Sequence, residues 1–127
     1  MCSSDLVGGA GGPELAREAS SLLGPVFAVT GPVDHVSDGA RVTKVANGDP
    51  MLATVTGTGC MSSAVTGCFL AVAASPFDAA VEALVAFGVA GEDAARDAKG
   101  PGTFHANLYD ALAALDPATL DARAKAE

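Results

Sequence analysis

Apolar positions along the chain change their spacing several times, and each change marks an element. In residues 14–23, Leu15, Ala19, Leu22 and Leu23 recur at helical spacing until Gly24-Pro25 stops the run. Val26-Phe27-Ala28-Val29-Thr30 is continuously apolar and partly β-branched, the pattern of a strand buried on both faces in a parallel sheet. Segments around His35-Val36 and residues 41–45 flank Asp38-Gly39, which predicts a hairpin with a tight turn. Asn47-Gly48-Asp49-Pro50 reads as another turn, and residues 51–55 as one more strand, running into the small-residue loop Thr56-Gly57-Thr58-Gly59-Cys60.

The second half reads as helical. Met61, Ala64, Val65, Cys68, Phe69 and Val72 keep a helical period, which assigns Cys68 to core packing. Ser75-Pro76 supplies a cap and a first-turn proline for a long helix carrying Phe77, Ala80, Val81, Leu84 and Phe87. The small residues of that helix, Gly88 and Gly91 among them, allow a neighbour to approach closely, although each interior glycine costs about 0.8–1.0 kcal/mol relative to alanine. Lys99-Gly100-Pro101-Gly102 ends it. Phe104, Leu108, Ala111, Leu112 and Leu115 define another amphipathic helix, Asp116-Pro117 starts a last one, and the tail beyond Leu120 is expected to be frayed. The order of helix, strand, hairpin, strand and helices fits an α/β sheet covered by helices, with ligands at the carboxyl ends of strands.

Composition narrows the function classes. Fifteen acidic side chains against 7 basic ones give a net charge of −8, which disfavours a general affinity for nucleic acid or anionic lipid, so a bound phosphate must be held locally. The longest apolar run is broken by Pro76 and Asp78, well short of a membrane span, and no signal-peptide pattern opens the chain, so a soluble cytoplasmic protein is expected. Three cysteines without metal-ligand spacing suggest a reduced compartment. Met1-Cys2-Ser3-Ser4-Asp5-Leu6 resembles the translation of a sequencing-adaptor end joined to coding DNA, so residues 1–12 are expected to be non-native or disordered.

Candidate chemistry concentrates in Thr56-Gly57-Thr58-Gly59-Cys60. Glycines between a strand and a helix let the backbone turn tightly and approach a ligand, while the first N–H groups of the helix point at an anion. Such fixed donors suit a phosphoryl group in transfer. A glycine-rich turn with no ligand satisfies the same spacing. Cys60, with an ordinary thiol pKa of about 8.5 that a helix N-terminus lowers, could take a proton from an attacking alcohol; it could equally be a small hydrophobe tucked in the turn. His35 and His105 read as surface or structural, Asp34 as a turn stabiliser, Thr58 as an N-cap at most, and Glu92, Asp93, Arg96 and Asp97 as a solvated helix face.

Three motifs taken together resemble a known family. Val29-Thr30-Gly31-Pro32-Val33-Asp34, Val55-Thr56-Gly57-Thr58-Gly59-Cys60 and Gly100-Pro101-Gly102-Thr103-Phe104 look like hydroxyethylthiazole kinases in content, order and spacing. The resemblance implies a ribokinase-like three-layer sandwich with a mainly parallel sheet, of which residues 13–127 would form the C-terminal half. It implies ATP-dependent phosphorylation of the alcohol of hydroxyethylthiazole in thiamine biosynthesis or salvage, with Mg2+. Thr30 would contact ATP phosphate, Gly57 the thiazole, Gly59 and the amide of Cys60 would form the anion hole, and Cys60 would stand where related kinases carry an aspartate base.

Pro32 departs from the acidic residue common at its position in the family. Metal ligands and much of the nucleotide site would lie in the N-terminal half, so these residues alone are expected to be inactive and poorly soluble, and the whole protein to be a homotrimer with sites at its subunit boundaries. Hydroxymethylpyrimidine phosphate kinases carry a similar glycine, threonine and cysteine loop, so the loop alone does not choose the substrate. A sugar kinase would need aspartate at Cys60, and a non-catalytic nucleotide-binding or oligomer-forming protein is the reading from a different class.

Overall fold

The computed structural model describes residues 11–127; the expectation for residues 1–12 therefore falls almost entirely outside the described residues. Helix α1 (Gly12–Leu23) opens the chain, with Pro13 in its first turn. Strands β1 (Phe27–Val29), β2 (Asp34–Ser37) and β3 (Val42–Val45) follow, then a short 3-10 helix (Pro50–Thr54). Helices α2 (Thr58–Leu70), α3 (Pro76–Arg96), α4 (Pro101–Ala113) and α5 (Pro117–Arg123) complete it. Prolines at the first position of α3, α4 and α5, with the Ser75 and Asp116 side chains accepting backbone N–H groups, explain why those helices start where they do.

The sheet has the order β1-β2-β3 and both pairings are antiparallel. The parallel sheet expected from residues 26–30 is thus absent among the described residues. Residues 30–33 connect β1 to β2 in four positions, with the Gly31 N–H donating to Asp34 Oδ1 at 2.9 Å, and so short a link joins only antiparallel neighbours. The hairpin around Asp38-Gly39 is present, with Ser37 opposite Val42.

Residues 51–55 form no strand. Asp49 caps the Met51 N–H at 2.9 Å and Pro50 follows, so the segment coils into the 3-10 turn; the cap-then-proline signal of Ser75-Pro76 and Asp116-Pro117 was present here too. The tail is not frayed either. Lys44 and Glu127 exchange backbone hydrogen bonds of 2.7 and 2.9 Å, the Ala46 N–H donates to Lys125 at 2.9 Å, and Val45 bridges Ala126, so the tail lies antiparallel along β3.

Strand alternation puts Val36 and Val45 on one face of the sheet, buried against Phe77, Leu84, Val85 and Val89 of α3. His35 projects from the other face, where α1 packs so closely that a Cβ on Gly12 would fall 2.5 Å from its ring. Helices therefore cover both faces, an α/β architecture. A second core unites Phe87, Ala90 and Ala94 of α3 with Phe104 and Leu108 of α4, with Met51, Leu52, Met61 and Val65 against it. Helix α3 is the wall shared by both cores.

Helix α2 departs from its expected burial. Met61 and Val65 pack inward and Phe69 is half-buried, whereas Ala64 and Cys68 are exposed, as is Val72 just beyond the helix, at 83%. Cys68 is therefore not a core residue of these 127. A helix apolar around its whole circumference has one side covered by this chain and one side bare.

Candidate active site at the start of α2

Gly57 is the N-cap of α2, with φ 97° and ψ −5°, a left-handed conformation that carries a penalty for any residue with a Cβ. Nothing lies within 4 Å of the place a Cβ would occupy, so the conformation itself, together with access to the backbone, calls for glycine. The first intrahelical bond runs from Met61 N–H to Gly57 C=O at 2.9 Å. The Thr58, Gly59 and Cys60 amides form the first turn ahead of it, at the positive end of the helix dipole. Gly57, Gly59 and Cys60 are all exposed.

Thr58 does not cap the helix. Its hydroxyl is placed to donate to the Leu52 carbonyl at 3.0 Å and to that of Val55 at 3.3 Å, binding the start of α2 to the preceding 3-10 turn. Asp49, that turn and Thr58 thus form one hydrogen-bonded platform beneath Gly57.

Thr30 is exposed at the end of β1. Strands β1 and β3 both run antiparallel to β2, so Thr30 and the segment leading from Val45 towards Gly57 leave the sheet at the same end. Asp34 starts β2 at that end. Burial pushes its carboxyl up to about 6, against the downward pull of the Gly31 N–H it accepts, and that bond is the turn-stabilising role expected of it.

In the third motif, Gly100 is the N-cap of α4, the Thr103 hydroxyl accepts the Lys99 N–H at 3.1 Å, and Phe104 is fully buried. His105 stacks on Tyr109, with 2.9 Å between Nε2 and the hydroxyl. Two concavities of about 640 and 560 Å3 lie elsewhere, one against α1 and β3 and one between α3 and α5; neither includes Thr30, Gly57, Gly59 or Cys60. The site is an open surface. Among the described residues no group of three or more His, Cys, Asp or Glu side chains could hold a metal ion.

Sequence reasoning missed a polar cluster behind the platform. Asn47 is buried; its side-chain N–H groups donate to Glu92 Oε1 at 3.2 Å and to the Arg123 carbonyl at 3.0 Å, while its Oδ1 accepts from the Lys125 N–H at 2.8 Å. Glu92 also accepts from the Gly48 N–H and pairs with Arg123 at 2.9 Å and Lys125 at 3.0 Å. Asp93 takes two bonds from Arg123. Burial raises the Glu92 carboxyl, but the bonds from Lys125, Gly48, Arg123 and Asn47 outweigh it and hold its pKa at about 2. Glu92 and Asp93 are therefore partly buried ion-pair residues rather than a solvated face. Only the fixed i,i+3 pair of Asp93 with Arg96 was readable from spacing.

Comparison with known proteins places these features in a family. The model of the Hydroxyethylthiazole kinase family matches residues 9–118. A hydroxyethylthiazole kinase of Rubrobacter xylanophilus is 54% identical over 113 residues, which are 87% of this chain and 42% of that protein. One from Pyrococcus furiosus is 51% identical over 114 residues, 90% of this chain and 43% of the relative. The solved structure of a Pyrococcus horikoshii hydroxyethylthiazole kinase protein superposes with a TM-score of 0.86 at 45% identity, over 91% of this chain and 45% of that one. The chain thus spans about two fifths of the length of the curated relatives it matches.

Proposed function

The chain belongs to the hydroxyethylthiazole kinase family, and from that premise we propose that it is the C-terminal half of an enzyme transferring the γ-phosphoryl group of ATP to the alcohol of hydroxyethylthiazole, in thiamine biosynthesis or salvage. The observation that carries the reading is the glycine-capped start of α2, where Gly57, Gly59 and Cys60 are exposed, on the segment that leaves the sheet at the same end as Thr30. The complete protein is read as a cytoplasmic homotrimer with a ribokinase-like three-layer sandwich, its mainly parallel sheet built on the free edge of β1. The bare apolar side of α2 supports a covering segment from outside these residues.

In this reading the substrate alcohol oxygen bonds to the γ-phosphorus while the bond from that phosphorus to the bridging oxygen breaks, its electron pair leaving with ADP. The amides of Gly59 and Cys60 meet the charge on the transferring oxygens without reorganisation. The Cys60 thiolate takes the alcohol proton, the Thr30 hydroxyl donates to an ATP phosphate, and Gly57 gives the thiazole access to the backbone. Mg2+ accompanies ATP, with its acidic ligands outside the described residues. A loose transition state asks little of a base, so positioning and electrostatics supply most of the rate.

The test is ATP-dependent phosphorylation of hydroxyethylthiazole and hydroxymethylpyrimidine side by side with the complete protein, read by product mass. Phosphate on the thiazole alcohol alone is expected; transfer only to the pyrimidine would replace the substrate, and transfer to neither would overturn the catalytic reading.

A further inference from the structure

We propose that Arg123 and Glu92 are positioning residues for the glycine loop, acting through Asn47. The inference rests on the phosphotransfer reading for its catalytic consequence, although its geometry does not. Asn47 begins the segment that carries the platform, and its side chain bonds to Glu92 of α3, to the Arg123 carbonyl and to the Lys125 N–H of the tail. From below, Gly88 holds α3 so near that a Cβ there would fall 2.6 Å from Asn47 backbone atoms. Two residues on, Asp49 caps the 3-10 turn, and Thr58 returns to that turn from the first position of α2. The tail, α3 and the glycine loop are therefore linked through hydrogen bonds at Asn47, Asp49 and Thr58 and the short stretch of backbone between Asn47 and Asp49. Arg123 spans Glu92 and Asp93 and so fixes the tail that completes the grip on Asn47.

Such an arrangement moves the first-turn amides of α2 as one body with Asn47, and small displacements of donors cost much in transfer rate. Amide hydrogen exchange in the complete protein provides a readout independent of catalysis. Arg123→Ala is expected to speed exchange at residues 49–60 by at least about tenfold while leaving residues 101–113 of α4 unchanged, because the opening is local. Arg123→Lys, which keeps a cation facing Glu92 and Asp93, restores part of the protection.

In the complete protein, once thiazole phosphorylation by the unaltered enzyme is established, Arg123→Ala lowers kcat by roughly 10- to 100-fold with little change in the KM for ATP. Unaltered exchange at residues 49–60, acceleration that extends equally through α4, or an unchanged kcat in an active parent would each overturn the positioning role. A parent inactive on thiazole would count against the function reading and leave the exchange result to decide the mechanical link.

Discussion

Replacing Gly88 by alanine is expected to destabilise the chain, although alanine is ordinarily the better helix former. In an unobstructed helix interior the exchange gains about 0.8–1.0 kcal/mol. At Gly88 the added methyl would lie 2.6 Å from the carbonyl carbon, carbonyl oxygen and Cβ of Asn47. Two of these are backbone atoms, so α3 or the Asn47 segment must shift. Overpacking of this kind costs about 1–3 kcal/mol. The shift also lengthens the bond from Asn47 to Glu92, worth about 1 kcal/mol. The net loss comes to about 1–3 kcal/mol, or roughly 4–12 °C in Tm for a chain of this size. Gly67 in α2 is the control, since nothing lies within 4 Å of its built Cβ. Urea unfolding at low micromolar concentration, followed by helical circular dichroism, compares the two variants. Gly67→Ala should raise the midpoint and Gly88→Ala lower it. If Gly88→Ala stabilised as much as Gly67→Ala, the close contact between α3 and Asn47 would be wrong.

Three other perturbations address the chemistry, the charges and the bare surface. Cys60→Ala in the complete protein is expected to lower turnover by roughly 100-fold, the lower end for a positioned base, and unchanged turnover would remove Cys60 from proton transfer. Glu92, held at about 2 against an ordinary 4.5, contributes stability that is complete above about pH 4.5 and is lost as pH falls towards 2. Asp34, raised to about 6 from 3.8, has the opposite sign: stability falls as pH rises from 3.8 to 6, and Asp34→Asn should abolish that fall while matching the parent below pH 4 in denaturation curves. A parent whose stability is flat from pH 4 to 6 would refute the burial of Asp34. With Leu70 52% exposed on α2, Val72 83% exposed just beyond it, and Leu22 76% and Leu23 68% exposed on α1, residues 13–127 alone should self-associate in sedimentation equilibrium as concentration rises above the low micromolar range; a monomer throughout would contradict this.

The helices were legible in the sequence because their signals are local. Ser75-Pro76 and Asp116-Pro117 mark helix starts with a cap and a proline, and Phe77, Leu84, Phe104 and Leu108 keep the period that buries them. The strands were legible only in part. Residues 26–30 look the same in a parallel or an antiparallel sheet, and the short link to Asp34 was the better guide to direction. Residues 51–55 were misread because apolar composition was given more weight than the Asp49-Pro50 start signal. Of the site, Gly57, Gly59 and Cys60 were readable as a helix-start loop. The support from Asn47, Glu92 and Arg123 was not, since it joins residues more than thirty positions apart that carry no shared spacing.

The tail laid along β3 sets an order of assembly. The α2–α3 and α3–α4 packings join neighbours in sequence and need only short loops to close, so they can form early. The Lys125 amide must find Asn47 across 78 positions, and it gains that bond only once α3 and the sheet already face each other. The seam around Asn47 is therefore the last part of the chain to close and among the first to open. Because the glycine loop hangs from that seam, a newly made chain would have its cores complete before its helix-start amides were aimed, and a well-packed species with an open seam should precede the closed one during refolding.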